Sequence, residues 1–345
     1  MIRAAFAVPG DLSTPTGGYA YARRLLSDGP AAGLFLDHLA LPGGFPHPDA
    51  AAVSAAAAAL AAAPADRPLL VDGLAFGALP AEALAVVAAP LAALVHHPLA
   101  LESGLDAATA ARLAASERAA LGFARAVVTP SAAVARTLVD AYGVAAEKIT
   151  VAAPGLDPAA PAAGDGDPPH ILCVGSLSPR KAQDVLIAAL TRIAAMPWRA
   201  TLVGAALDPT FAAGLAKAAA PLGQRVTFLG ALDAARLDAV YASADIFCLP
   251  SRYEGYGMVY AEAMARALPV VAARHATAEA ILPAAAAALV PPGDAPALAE
   301  ALAALLDDPD RRARMGAAGR AAAAQLPGWD ETVRRVAGAL QAIAP

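Results

Sequence analysis

Two adjacent cations, Arg180 and Lys181, stand in Gly175-Ser176-Leu177-Ser178-Pro179-Arg180-Lys181-Ala182-Gln183, which leads from an apolar run into a helical pattern. Positive side chains at the opening of a helix oppose its dipole, so they are misplaced as stabilisers and well placed as holders of an anion. The plainer alternative is a solvated charge pair. A second segment has the same form. Pro250-Ser251-Arg252-Tyr253-Glu254-Gly255-Tyr256-Gly257-Met258-Val259-Tyr260-Ala261-Glu262-Ala263-Met264-Ala265 follows the apolar run Asp245-Ile246-Phe247-Cys248-Leu249. Gly255 and Gly257 fall where a strand gives way to a helix, the place where backbone N–H groups lack intrahelical partners. Glu254 lies in that turn and Glu262, eight positions on, inside the helix. A carboxylate beside an anion-holding turn suits sugar hydroxyls, which donate to it, and does not suit a phosphate. Glutamates at this spacing also arise by chance in helices, so the weight of the reading rests on the order of elements around them.

The first half offers Pro15-Thr16-Gly17-Gly18-Tyr19 after its first strand, a glycine pair that lets backbone approach a ligand closely, though such a pair is usually only a turn. It also offers Leu94-Val95-His96-His97-Pro98 at the end of its fourth strand. Adjacent histidines on a strand point to opposite faces, which makes a shared zinc ion improbable. His96 is favoured over His97 as the one that faces a ligand.

These residues need a scaffold, and the chain supplies one by alternation. Apolar runs predict strands over 3–8, 34–39, 69–71, 91–96, 126–129 and 149–152, with helical patterns over 19–27, 50–62, 81–88, 107–121 and 131–142. A Pro, Gly and Asp-rich stretch at 158–169 has no periodicity and reads as a linker. A second series follows, with strands over 170–174, 200–203, 226–229, 246–249, 269–272 and 288–290. Strand and helix in alternation predict parallel, doubly wound α/β sheets with ligands at the carboxyl ends of the strands. The expected domains are therefore 1–157, the linker 158–169, a second domain 170–328, and a final helix 329–345 that either ends the second domain or packs back on the first.

Composition narrows the class. The 345 residues are 58% hydrophobic and 16% charged, with much of the apolar share in alanine. No run of eighteen strongly apolar residues occurs, and the N-terminal run reads as a first strand rather than a leader. Two cysteines, Cys173 and Cys248, each fall in an expected core strand, which fits a reducing cytoplasm and excludes a disulfide framework. The net charge of −5 with scattered Lys and Arg argues against nucleic acid, and the more acidic first half against an anionic membrane.

The segment from Pro250 through Arg266-Ala267-Leu268-Pro269-Val270-Val271-Ala272 to Glu279 resembles the E-x7-E region of retaining GT-B glycosyltransferases, the family-4-like group also called glycosyl transferases group 1. The resemblance covers nearly the whole chain and is stronger in the second half. It implies two Rossmann-like domains facing each other across a cleft, the first on the acceptor side and the second binding a nucleotide sugar. It makes Glu254 the carboxylate facing the donor sugar and Glu262 the one holding the ribose, with Gly255, Gly257, Met258 and Val259 as further donor contacts. The turn after Gly175 becomes a phosphate clamp with Arg180 and Lys181 on the leaving diphosphate, Arg180 serving where many members carry Arg directly after the glycine and this chain has Ser176. Gly17 and Gly18 would face the diphosphate from the first domain, and His96 the transferred sugar. Two departures matter. Pro154 stands where Asn usually precedes Gly155, and His275-Ala276-Thr277-Ala278-Glu279 replaces a glycine-rich turn, leaving Glu279 as either a donor-site residue or a helix N-terminal carboxylate.

The implied activity is transfer of a hexose-type sugar from a UDP or GDP sugar to an acceptor, a small molecule, glycan or lipid-linked sugar, with retention. No cofactor and no metal is expected, since cations stand in for the Asp-x-Asp motif that the chain lacks. The rivals are weaker. A nicotinamide-dependent oxidoreductase needs G-x-G-x-x-G after a first strand, and neither Gly10 nor Gly175 begins one. A phosphorylase needs a pyridoxal-bearing lysine, and Lys181 and Lys217 are the only lysines of the second half, neither with a supporting motif. A non-catalytic binding protein or an epimerase on the same fold is argued against by Glu254, Glu262, Arg180 and Lys181 occurring together.

Overall fold

The apolar runs are strands in the computed structural model, which describes residues 1–102 and 104–345. The chain divides into two compact units, residues 1–155 with 327–345, and residues 156–326.

The first unit is built on β1 (Ile2–Pro9), β2 (Leu34–Leu41), β3 (Leu69–Asp72), β4 (Leu91–Leu94), β5 (Ala126–Thr129) and β6 (Ile149–Val151), in the order β2-β1-β3-β4-β5-β6. All neighbours are parallel. β3, β4 and β5 are buried along their whole length, which is why they read as continuous apolar runs rather than alternating ones. The helix Ala132–Tyr142 opens on Ser131, whose hydroxyl accepts from the Val134 N–H, and closes on Gly143 in the left-handed region. The final helix, Trp329–Gln341, belongs to this unit: Thr332 donates its hydroxyl to the Ala153 carbonyl at 2.7 Å, and Trp329 lies edge-on to Tyr21 with Arg24 over its ring.

The second unit carries β7 (His170–Val174), β8 (Arg199–Val203), β9 (Val226–Gly230), β10 (Ile246–Leu249), β11 (Val270–Ala273) and β12 (Ala287–Val290), in the order β12-β11-β10-β7-β8-β9. This sheet too is parallel throughout. Its core includes Ile171, Leu172, Leu186, Ile246, Phe247, Val270 and Leu302, and each such side chain contributes about 1.5–3 kcal/mol by leaving water. Cys173 and Cys248 are buried in this core as free thiols, and burial pushes Cys173 up to about 12, so neither is a reactive thiolate.

Strand order decides where ligands can go. Connections leave β7 toward β8 on one side of the sheet and return to β10 on the other, so the carboxyl ends of β7 and β10 diverge at a switch point. In the first unit the corresponding reversal separates β1 from β3. Arg180 and Lys181 follow β7, Glu254 follows β10 and Gly17 and Gly18 follow β1, whereas His96 and His97 follow β4, next to β3.

Two expectations shift. β4 ends at Leu94, not at residue 96, because the Val95 N–H takes the Val128 carbonyl as the last ladder bond; His96 and His97 therefore lie beyond the strand and not on its two faces. Gly17 and Gly18 form the first turn of the helix Gly17–Asp28 rather than a loop ahead of it. No helix among the described residues is long and apolar enough to cross a membrane.

Candidate functional site

The turn after β7 and the turn after β10 meet through charge. Lys181 reaches Glu254 with Nζ to Oε1 at 2.6 Å, and the Arg180 guanidinium lies 3.6 Å from Oε2 while donating to the Tyr253 carbonyl at 3.1 Å. The backbone supports the same junction, since the Arg252 N–H donates to the Arg180 carbonyl at 2.8 Å. Glu254 is buried. Burial alone would raise its carboxyl, but the charges of Lys181 and Arg180, with the hydrogen bond from Lys181, outweigh it and hold the group at about 2. It is ionised at neutral pH.

Arg180 and Lys181 sit in a 3-10 turn, Pro179–Lys181, and not in the first turn of the helix, which begins at Gln183. Ala182 joins the two with φ 54°, a left-handed conformation that costs a non-glycine residue about 1 kcal/mol and turns both cations toward β10. Gln183 is buried, and its amide donates to the carbonyls of Gly175 and Ser176, tying the loop that opens with Gly175 back to the helix. Gly175 packs beside the Lys181 stem, where an added Cβ would stand 3.4 Å from its Cδ.

Gly257 adopts φ 82° as the N-cap of the helix Met258–Ala265. A side chain there would need the left-handed region and would place its Cβ 2.5 Å from the Tyr260 ring, so glycine is required twice over. The positive end of this helix, with Met258 and Val259 in its first turn and Gly255 just before it, opens beside Glu254. Glu262 lies one face further along and does not join the Glu254 pair. Its carboxylate accepts from the Tyr241 hydroxyl at 3.0 Å, and Arg266 stacks on the Tyr241 ring at 4.5 Å. Burial raises the Glu262 carboxyl against the opposing effects of the Tyr241 hydrogen bond and the Arg266 charge, with Asp157 raising it further. Glu279 lies in the first turn of the helix Ala276–Ile281 and pairs with Arg274 at 2.9 Å, both side chains exposed.

In the first unit, His96 comes against Gly18, where an added Cβ would stand 3.2 Å from His96 Cδ2. Tyr21 meets the ring edge-on at 5.3 Å and anchors its own hydroxyl on the Ala152 carbonyl at 2.9 Å. Asp72, at the end of β3, caps the short helix Gly73–Phe76 and turns its other oxygen toward His96 Nε2 at 3.7 Å, too far for a hydrogen bond. Burial pushes Asp72 up to about 6 and His96 down to about 4, the latter helped by His97; neither shift has the sign that an ion pair produces. His96 is thus a neutral imidazole at pH 7. His97 faces Glu102 instead, with Nε2 3.4 Å from Oε2.

The segment after the histidines is held by a buried carboxylate. Glu117 Oε2 accepts from the Leu99 N–H at 2.9 Å, and burial pushes the group up to about 7, against lowering by that bond and by the Tyr142 hydroxyl. A carboxyl raised on folding binds more protons in the folded chain than in the unfolded one, so its stabilising contribution is present below about pH 4.5 and is lost as pH rises through about 7. Glu117→Gln keeps an acceptor for Leu99 without the charge. It should match the parent near pH 5 and exceed it at pH 8 by about 1–3 kcal/mol, read from denaturation midpoints at the two pH values; an advantage at pH 5 and none at pH 8 would contradict the buried-charge account.

Asp72, Tyr21, Tyr241 and Glu117 carry no local sequence signal, because each acts on a group distant along the chain. Among the described residues no cluster of three or more His, Cys, Asp or Glu could hold a metal ion.

Two parallel, doubly wound units, one with two cations and a buried carboxylate at its switch point, define an architecture of paired Rossmann-like halves. The family signature "Glycosyltransferase Family 4" matches residues 27–160, and "Glycosyl transferases group 1" matches residues 168–308. The chain belongs to this family-4, GT-B-type glycosyltransferase family. It is 38% identical over 181 residues to a GDP-mannose-dependent monoacylated alpha-(1-6)-phosphatidylinositol monomannoside mannosyltransferase of Corynebacterium glutamicum, covering 50% of this chain and 47% of that protein. It is 36% identical over 211 residues to a D-inositol 3-phosphate glycosyltransferase of Nocardia farcinica, covering 55% of this chain and 47% of that protein. The chain spans about half the length of these curated relatives. Among solved structures it shares its fold with a sucrose-phosphate synthase from Thermosynechococcus elongatus (TM-score 0.81, 22% identity, 99% of each chain). It shares it also with Anabaena HepE in complex with UDP-glucose (TM-score 0.79, 21% identity, 99% of this chain and all of that one).

Proposed function

We propose that the protein transfers a hexose-type sugar from a UDP or GDP sugar to an acceptor hydroxyl, with retention at the anomeric carbon and without a divalent ion. The observation that carries this reading is the convergence of Lys181, Arg180 and Glu254 at the switch point of the second sheet. Breaking a glycosidic bond to a diphosphate develops negative charge on the leaving oxygens and positive charge on the sugar ring. The two cations and the N-terminus of the helix Met258–Ala265 answer the first, and the Glu254 carboxylate the second, so each stabilises charge where it grows. Glu262, beside Tyr241, is assigned to the ribose hydroxyls, and the backbone from Gly255 to Val259 to the phosphates. Within the first unit, Gly17 and Gly18 are assigned to the donor diphosphate and His96 to the transferred sugar, where a neutral imidazole can donate to a hydroxyl without adding charge. The relatives named for GDP-mannose and the fold relative bound to UDP-glucose define the donors to test first. A cytoplasmic setting, where both donor classes would be met, fits the two free, buried cysteines.

Calorimetry with UDP, GDP, UDP-glucose and GDP-mannose, followed by donor hydrolysis or transfer assays with and without EDTA, tests the proposal. One nucleoside diphosphate should bind in the micromolar range, and turnover should survive EDTA. Loss of activity with EDTA that magnesium or manganese restores would overturn the metal-independent mechanism, and binding of none of the four would overturn the donor site.

A further inference from the structure

His275 stands where the turn after β11 leads into the helix Ala276–Ile281. Its Nδ1 accepts from the Ala278 N–H at 3.2 Å, which fixes the tautomer: a nitrogen that accepts carries no proton, so the proton of the neutral ring is on Nε2. That Nε2–H is buried and has no hydrogen-bond partner among the described residues. The turn that carries it is pinned to the candidate site, because the Thr277 hydroxyl, two residues on, donates to the Glu254 carbonyl at 2.7 Å. The ring also lies 6.4 Å from that of Tyr260, the residue packed under Gly257. His275 is close enough to feel the charges of both Glu254 and Lys181, and burial, the largest influence, keeps it neutral by lowering its pKa.

From this geometry we infer that His275 is a specificity-determining residue, whose Nε2–H donates to a hydroxyl of the transferred sugar while Glu254 accepts from the same sugar. A hydroxyl both gives and receives a proton in hydrogen bonds, and a carboxylate and a neutral imidazole N–H offer the two complementary halves. A site that leaves a buried donor unpaired when the hydroxyl is missing or inverted rejects such a sugar far more strongly than an apolar pocket can. The nucleoside diphosphate alone brings no sugar hydroxyl to Nε2, its charge being answered by Arg180 and Lys181. The inference rests on the donor-site reading proposed above.

His275→Asn separates the two functions of this side chain, since Asn can cap the helix through its own oxygen but lacks the reach of Nε2. Free UDP or GDP should bind His275→Asn within about twofold of the parent, while kcat/KM for the preferred nucleotide sugar should fall at least about tenfold and discrimination between epimeric or deoxy sugars on the same nucleotide should narrow. Unchanged kcat/KM and discrimination, or equal loss of nucleotide and nucleotide-sugar binding, would overturn the role of His275. If the variant folds poorly, imidazole 15N shifts of the parent give the second measurement. The His275 Nε2 signal should respond more strongly to the nucleotide sugar than to the nucleoside diphosphate alone; the same response to both overturns the inference. A parent that binds neither nucleotide nor nucleotide sugar ends the donor-site reading itself, and this inference with it, an outcome distinct from a parent that binds donor and a variant that behaves identically.

Discussion

Lys181→Met is expected to damage the protein twice, in stability and in donor binding, and the two losses should be separable. Lys181 holds a buried carboxylate at 2.6 Å, and removing it leaves that charge only Arg180 at 3.6 Å, so the cost should fall at the lower end of the about 3–5 kcal/mol of a broken buried pair. The Glu254 carboxyl, now held at about 2, would rise once the larger of its two compensating charges is gone, so the loss should be smaller in mild acid than at pH 8. Independently, loss of a charge-assisted contact to the diphosphate should weaken nucleoside diphosphate binding by about 1.5–3 kcal/mol and turnover by more. The double variant Lys181→Met/Glu254→Gln discriminates. Removing both charges should recover most of the stability and none of the diphosphate affinity. A double variant that binds UDP or GDP as the parent does would reduce Lys181 to a structural counterion. Arg180→Ala, whose guanidinium is further from Glu254 at 3.6 Å, should lose affinity with less loss of stability.

Features fixed by neighbouring residues are legible in the sequence. Strands buried on both faces, such as Ile246–Leu249 and Leu69–Asp72, announce themselves as unbroken apolar runs, and the parallel fold follows from their alternation with helices. Turn chemistry at Gly257 is equally local, because the left-handed φ is a property of one residue. What escaped is relational. That Lys181 is held by Glu254 depends on β7 and β10 being neighbours, a pairing between residues far apart in sequence. Asp72 and His96 meet only because β3 and β4 are adjacent, and Tyr241 finds Glu262 from a helix that bears no motif. His275 stands in the sequence as a departure from a glycine-rich turn, yet its tautomer and orphaned proton are visible only in the cap it makes at Ala278. The end of β4 at Leu94 is relational in the same way: the apolar run continues through Val95, but β3 ends opposite Leu94 at Asp72.

The two glutamates of the shared motif should part company under mutation, and the structure alters what is expected of the first. Glu254 occupies Lys181 and Arg180, so it competes with any diphosphate for the same cations. Glu254→Gln removes that competitor while keeping shape and one acceptor oxygen. Free UDP or GDP should then bind as well as in the parent or a few-fold more tightly, while kcat falls about 10²- to 10³-fold, because the carboxylate is assigned to the sugar where charge develops in the transition state. Glu262 touches neither cation; its oxygen is engaged by Tyr241, and its assignment is to the ribose. Glu262→Gln halves the capacity to accept from two adjacent hydroxyls, so it should weaken free nucleotide and intact donor alike, by about 1–3 kcal/mol, and appear chiefly in KM. Tyr241→Phe, which removes only the hydroxyl that orients Glu262, should reproduce a smaller version of the same change. Calorimetry on free nucleotide and steady-state kinetics on the donor decide between these outcomes. Equal loss of nucleotide binding in Glu254→Gln and Glu262→Gln would mean that both carboxylates merely hold the turn and helix together, and the division of labour between sugar and ribose would have to be abandoned.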